Sequence, residues 1–202
     1  MKKKLIFNKL FIVFLMMLIT DFVSAQFISS NLPIVVITTD GGVNIVDEPK
    51  VPASIKIIDR GAGQTNFLTD LNNPAYLNYS GKIDIEFRGN SSQIPDKKPY
   101  GFDTMKTDFS DTEEVSLLGI SKGDDWILNN LSFDPSMMHD FLAYNLTRKM
   151  GNYAVSTVYC EVVVNGDYRG LYILQEKPKR KRVGVSKIAV TDNSGINLTG
   201  GY

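Results

Sequence analysis

Apolar and polar positions change their period several times along the chain. Residues 32–38 (LPIVVIT) form a β-branched run that ends at Asp40-Gly41-Gly42, which predicts a strand closed by a turn. Val51–Ile58 (VPASIKII) reads as a second strand, with Pro52 placing it at a sheet edge or at its own start. Residues 82–88 alternate strictly: Ile83, Ile85 and Phe87 face one way, Asp84, Glu86 and Arg88 the other. Tyr100–Met105 is the natural partner of that half-buried strand. Residues 60–79, rich in Gly, Asn, Thr and Pro, read as a long surface loop.

Residues 117–131 mix apolar anchors with a turn at Lys122-Gly123-Asp124-Asp125. A helix follows, with Asp134 as its cap, Pro135 in its first turn and Gly151 at its end. Met138, Phe141, Leu142, Leu146 and Met150 share one face of it, and Arg148 and Lys149 complement the dipole in its last turn. Residues 157–175 then predict a hairpin around Asn165-Gly166, a two-residue turn whose twist suits paired strands. In a regular register Val163 faces Tyr168, Glu161 faces Gly170 and Tyr159 faces Tyr172. Cys160, Val162, Val164, Leu171 and Ile173 then lie on the other surface. A glycine opposite Glu161 leaves room beside that carboxylate for a partner or a close backbone. Strands, then a helix, then a hairpin indicate an α+β fold.

The first residues change the count of what folds. Lys2, Lys3, Lys4 and Lys9 precede an apolar stretch, and Val23-Ser24-Ala25 offers the small residues of a cleavage site. The stretch is short for a membrane span and ends at Asp21, so residues 1–25 are expected to be an export signal removed before Gln26. An exported protein, periplasmic, surface-bound or secreted, follows, with no membrane attachment after cleavage. Removal takes the formal charge from zero to about −3, with 18 basic residues against 21 acidic. That balance gives no general attraction to nucleic acid or to an anionic bilayer. Cys160 is the single cysteine and His139 the single histidine, so neither an intramolecular disulfide nor a Cys-His metal site is expected. Cys160 reads as a small buried hydrophobe, Trp126 as a core anchor and His139 as a surface or capping residue.

Candidate chemistry concentrates in FRGNSSQIPDKKPYGFD, residues 87–103. It lacks the phosphate-loop pattern, in which lysine follows glycine directly and precedes Ser or Thr. By spacing alone it is a hairpin with a polar loop. The alternative is an anion-holding loop, supported by Arg88 on the outgoing strand and Lys97-Lys98 on the return. The segment from Gly166-Asp167-Tyr168-Arg169-Gly170 to Glu176-Lys177 adds acidic and basic groups at a hairpin end and reads as a solvated edge, and the basic run at 177–187 reads likewise as solvated surface.

Three blocks together carry a resemblance: IDIEFRGNSSQIPDKKPYGFDT, LLGISKGDDWILNNLSFDPSMMHDFLAYNLTRKMG and VYCEVVVNGDYRGLYILQEKPKRKRVGVSKI. In this order and spacing they resemble the CotH family, named for spore coat protein H and grouped with atypical, secretory-type protein kinases. The resemblance spans residues 83–201 and implies a domain over residues 80–202, its N-terminal part; residues 26–79 would precede that domain as strands and a surface loop. It implies an atypical kinase-like fold, mainly the N-terminal antiparallel-sheet lobe with one packed helix. It also implies ATP and Mg2+ as cofactors, and phosphoryl transfer to protein serine or threonine. Arg88 and one of Lys97 and Lys98 would steady phosphate oxygens. The helix after Asp134 would pack behind them, and Glu176 and Lys177 would lead toward an inter-lobe hinge. The family's catalytic and metal-binding aspartates lie further downstream, in motifs absent after the hairpin here. The expectation is therefore the N-terminal part of a longer protein, with no catalytic residue, no metal ligand and no activity of its own. The competing expectation is a non-catalytic exported module for binding a partner or assembling a surface coat. The substrate protein or surface partner stays unspecified.

Overall fold

The computed structural model describes residues 27–184, so the export-signal expectation for residues 1–25 lies outside the described residues. Among the described residues nine strands follow one another: β1 (Ser29–Ser30), β2 (Ile34–Thr39), β3 (Val51–Ile58), β4 (Asn66–Phe67), β5 (Leu77–Phe87), β6 (Tyr100–Met105), β7 (Asp125–Asn129), β8 (Thr157–Val164) and β9 (Asp167–Glu176). The helices are α1 (His139–Lys149) and the single turn α2 (Arg180–Val183). Seven strands close a barrel in the order β2-β3-β5-β6-β7-β9-β8. The fold is mostly β with one sizeable helix. Closure comes from β2 lying parallel to β8, so the sheet is a ring with one parallel pair, where an antiparallel sheet is expected from the sequence. That pair joins segments more than a hundred residues apart, which no local pattern reveals.

The barrel is filled, not hollow. Val35, Ile37, Ile55, Ile57, Ile83, Ile85, Phe102, Trp126, Leu128, Cys160, Val162, Tyr172 and Leu174 are buried in one cluster. Alternation explains the choice: Ile83 and Ile85 point in, and Asp84 and Glu86, between and beyond them, stay on the outer face. Residues 60–76 are not a plain loop. They hold β4, the 3-10 turns Leu68–Asn72 and Pro74–Tyr76, and β5 already starts at Leu77. This excursion lays Leu68, Leu71 and Tyr76 over a second cluster, Ile34, Val36, Ile58 and Val163. Arg60 pins it with two bonds of 2.7 Å to Asp70 and lies 3.9 Å from the Tyr76 ring centre.

The hairpin departs from the regular register. Val163 pairs with Tyr168 as expected, but the ladder slips between Val162 and Val163. Beyond the slip Val162 pairs with Gly170, Glu161 with Leu171, Cys160 with Tyr172 and Tyr159 with Ile173. The extra residue on β9 is a bulge, allowed by Gly170 at φ 92°. It turns Tyr172 and Leu174 into the core beside Cys160 and Val162. The open side of Gly170 is taken by Lys97, whose Cε and Nζ stand 3.8 Å from where a Cβ would be. Glu161 has its own partners, the Ser30 hydroxyl at 3.2 Å and the Tyr168 hydroxyl at 2.8 Å.

The helix starts later than expected and faces the other way. Met137 at φ 54° interrupts the first turn, so α1 begins at His139. Asp134 still serves its start from upstream, accepting from the Met138 and His139 amides at 2.9 and 2.8 Å. α1 lies over the outer face of β7, β9 and β8 on its polar and aromatic side. Asn129 donates to Asp140 at 2.7 Å, Phe141 packs on Tyr159 with centroids 4.8 Å apart, and Arg148 reaches the Val155 carbonyl. Among the described residues no helix is long and apolar enough to cross a membrane.

Candidate functional site

One end of the barrel opens into a cavity of about 350 Å³. Its floor is apolar, from Ile45, Phe87, Tyr100 and Val164, which all belong to or pack on the core. Its rim is polar: Asn44, Asp96, Lys98, Asn165 and Arg169. Three connections build that rim. The segment before β3 lies along the end of β5, where Val46 accepts from the Phe87 amide at 2.8 Å. The β8–β9 turn is locked to the end of β2, because the Asn165 amide donates to the Ile37 carbonyl at 2.9 Å. The third connection is the loop from Arg88 to Pro99.

That loop holds itself together. Gly89 at φ 82° turns it, and a 3-10 turn spans Ser91–Gln93. The Gln93 and Ile94 amides donate back to Asn90 and Ser91, both at 3.1 Å, and the Gln93 side chain bridges Gly89 and Asp47. Asn130, buried beneath, donates to the Lys97 carbonyl at 2.6 Å. The amides of a phosphate cradle are therefore partly spent on the turn itself.

The predicted site residues do not converge. Lys98 lies on the cavity rim and donates to the Gln93 carbonyl at 2.6 Å, which leaves its ammonium two further donors. Arg88 sits across the ribbon: its Cβ and Cδ lie beside Gly101 on the outer face, and among the described residues its guanidinium has no ion pair. Lys97 turns to β9, donates to the Leu171 carbonyl, and stands 4.5 Å from the centre of the Tyr172 ring. Burial lowers its pKa. Glu176 is buried and pairs with Arg182. Lys177 lies 3.0 Å from Asp125.

The last contact has an electrostatic reason. Register places Asp84, Asp103 and Asp125 side by side across β5, β6 and β7. Burial, and then the Asp103 charge, raise the Asp84 pKa. Lys50, paired with Asp103 and 3.8 Å from Glu86, and Lys177 offset this row of like charge. Lys179 pairs likewise with Asp124, the residue before β7, so Lys177 and Lys179 are both bound back to the start of that strand.

Sequence reasoning missed Arg169, Asn44 and Asn165. Arg169 is drawn to the rim by the same bulge that shifts the hairpin, and its guanidinium also meets Asp167 at 3.2 Å. The mouth thus combines two cations, a neighbouring carboxylate and an aromatic floor. Tyr100 and Tyr172 stand with centroids 5.8 Å apart, and the Tyr172 hydroxyl donates to the Lys98 carbonyl at 2.8 Å, fixing the backbone of the rim lysine. Burial raises the pKa of both phenols, so each stays a neutral donor. Such a site suits a small anion or the anionic end of a larger molecule. Among the described residues no three His, Cys, Asp or Glu side chains are placed to hold a metal ion.

No curated protein matches the chain. A family model described as CotH kinase protein matches residues 85–199, which takes in the rim lysine, α1 and the whole β8–β9 hairpin. The match covers more than half of the 202 residues, and the chain belongs to the CotH kinase protein family.

Proposed function

We propose that this chain is the nucleotide-holding, β-rich portion of an exported CotH-type kinase that transfers phosphate from ATP to serine or threonine of a protein. The observation that carries the reading is the pairing of Lys98 with Arg169 at the barrel mouth in a chain of this family. In this reading the barrel takes the place of the nucleotide-side lobe, and α1 that of its packed helix. Lys98 and Arg169 hold and orient the phosphate end by charge-assisted hydrogen bonds. Lys97, Glu176 and Lys177 support the rim and its neighbours through Leu171, Arg182 and Asp125. The described residues do not fit a magnesium ion, and no step is assigned through one.

Calorimetric titration of the full chain with ATP tests the proposal. Binding that weakens by roughly 10- to 100-fold in Lys98→Ala and in Arg169→Ala, with unfolding midpoints unchanged, is the expected result. No heat of binding, or equal affinity in all three proteins, contradicts it.

A further inference from the structure

The two cations of the mouth sit on backbone that the sheet does not fix. Arg169 is the extra residue of the β9 bulge: the ladder passes over it, from Tyr168 opposite Val163 to Gly170 opposite Val162. Lys98 stands outside the ladder on the other side, since the pairing of β6 with β5 ends at Tyr100, opposite Phe87. Pro99 lies between them, a residue with no amide to donate. Side chains that hold an anion bind it best when they are in place before it arrives. Both cations must therefore be fixed from outside their own ladders.

Two contacts between the loop and the hairpin can do this, and they cross. The Tyr172 hydroxyl donates to the Lys98 carbonyl at 2.8 Å. The Lys97 ammonium donates to the Leu171 carbonyl, with the Tyr172 ring centre 4.5 Å away. Each contact starts from an anchored residue. Tyr172 is wholly buried in the core and paired with Cys160 in the ladder. The backbone of Lys97 is tied down by Asn130, whose side chain donates to its carbonyl at 2.6 Å. Each contact ends beside a rim cation: on Lys98 itself, and on Leu171, two places after Arg169. Lys97 also lies along the bulge, with its Cε and Nζ 3.8 Å from where a Cβ of Gly170 would be. Lys97 and Tyr172 are both absent from the cavity lining. We propose that they are positioning residues, each acting on the cation of the opposite element: Tyr172 of the hairpin holds Lys98 of the loop, and Lys97 of the loop holds Arg169 of the hairpin. Their effect on binding rests on the phosphate reading of the mouth, whereas the bracing does not. Lys97, which the sequence offers as a phosphate ligand on a par with Lys98, then acts through Arg169 instead.

Backbone nitrogen relaxation of the ligand-free, isotope-labelled full chain tests the bracing, in Lys97→Met and in Tyr172→Phe. Both changes keep the apolar part of the side chain and remove the donor. The expected result is crossed. In Lys97→Met, order parameters fall from about 0.85 to about 0.7 at Tyr168, Arg169 and Gly170 and hold at Lys98; in Tyr172→Phe they fall at Lys98 and hold at the hairpin. Titration with inorganic triphosphate then reads the consequence for the site, and each variant should bind roughly three- to tenfold more weakly. The loss from Lys97→Met should vanish in an Arg169→Ala background and persist in Lys98→Ala, and the loss from Tyr172→Phe should do the reverse. A loss from Lys97→Met that persists in both backgrounds would mark a general effect of charge or folding and overturn the proposal. Order parameters unchanged in both variants would overturn it too, whatever the affinities. The crossed relaxation pattern in a chain that binds no triphosphate would support the bracing and refute the phosphate reading.

Discussion

Asn165 and Thr39 lie 126 residues apart and hold each other at the barrel mouth. The Asn165 side chain accepts from the Thr39 amide at 2.9 Å and donates to the Thr39 hydroxyl at 2.9 Å. One residue thus supplies the left-handed first position of the hairpin turn, at φ 51°, and the bond that closes β8 onto β2. Asparagine tolerates that backbone region, and its amide has both a donor and an acceptor.

Asn165→Ala should therefore cost about 2–3 kcal/mol, from two lost hydrogen bonds and a strained backbone. Asn165→Asp keeps the acceptor and should cost less. Urea unfolding checks this: the midpoint falls in that order, with the slope unchanged.

Lys97 is charged where burial disfavours charge. Its folded pKa lies below the ordinary 10.5, so between the two values the unfolded chain binds more protons. Stability contributed by this group rises as pH increases through the folded pKa towards 10.5. Lys97→Met, which keeps the stem over the Tyr172 ring, should lose that rise and stay within about 1 kcal/mol of the parent at neutral pH. The check is the difference between the two stability curves across alkaline pH, which cancels groups common to both proteins.

Asp70 behaves in the opposite sense. Its hydrogen bond to Arg60 holds its carboxyl below the ordinary 3.8. The stability it contributes is present above 3.8 and is lost as pH falls through the folded value. Asp70→Asn should be less stable than the parent at neutral pH, and the gap should close on acidification. Acid titration of the two unfolding midpoints measures it; a gap that widens towards low pH contradicts the assignment.

What was legible depended on how local the cause was. The alternation of Ile83, Ile85 and Phe87 with Asp84, Glu86 and Arg88 fixes a face, and Asn165-Gly166 fixes a turn, because both act between near neighbours. The bulge at Gly170 was hidden, since a glycine opposite a glutamate and a glycine in a bulge look alike in one dimension. The helix orientation was hidden for a different reason. Its apolar row invites burial, yet Asp140 and Asn145 have partners on the sheet, and Arg148 reaches the Val155 carbonyl in the segment that enters β8, and these hold the polar side inward. At the mouth, Lys98 could be picked from its own segment. Arg169 could not, because only barrel closure brings the β8–β9 hairpin to the loop after β5.

The same reasoning separates Lys98 from Arg88. They flank one loop, but the ribbon alternates, so one side chain reaches the mouth and the other the outer face. Arg88→Ala should leave phosphate binding at the mouth within about twofold of the parent, whereas Lys98→Ala should not; competition for a fluorescent ATP analogue distinguishes them.

The most direct measurement is a map of amide chemical shifts as inorganic triphosphate is titrated into the isotope-labelled full chain. The account predicts saturable shifts confined to Asn44, Lys98, Tyr100, Asn165, Arg169 and their neighbours around the mouth. Shifts centred elsewhere, on Arg88 and α1 or on Lys177 and α2, would contradict it, as would no saturable shift at all.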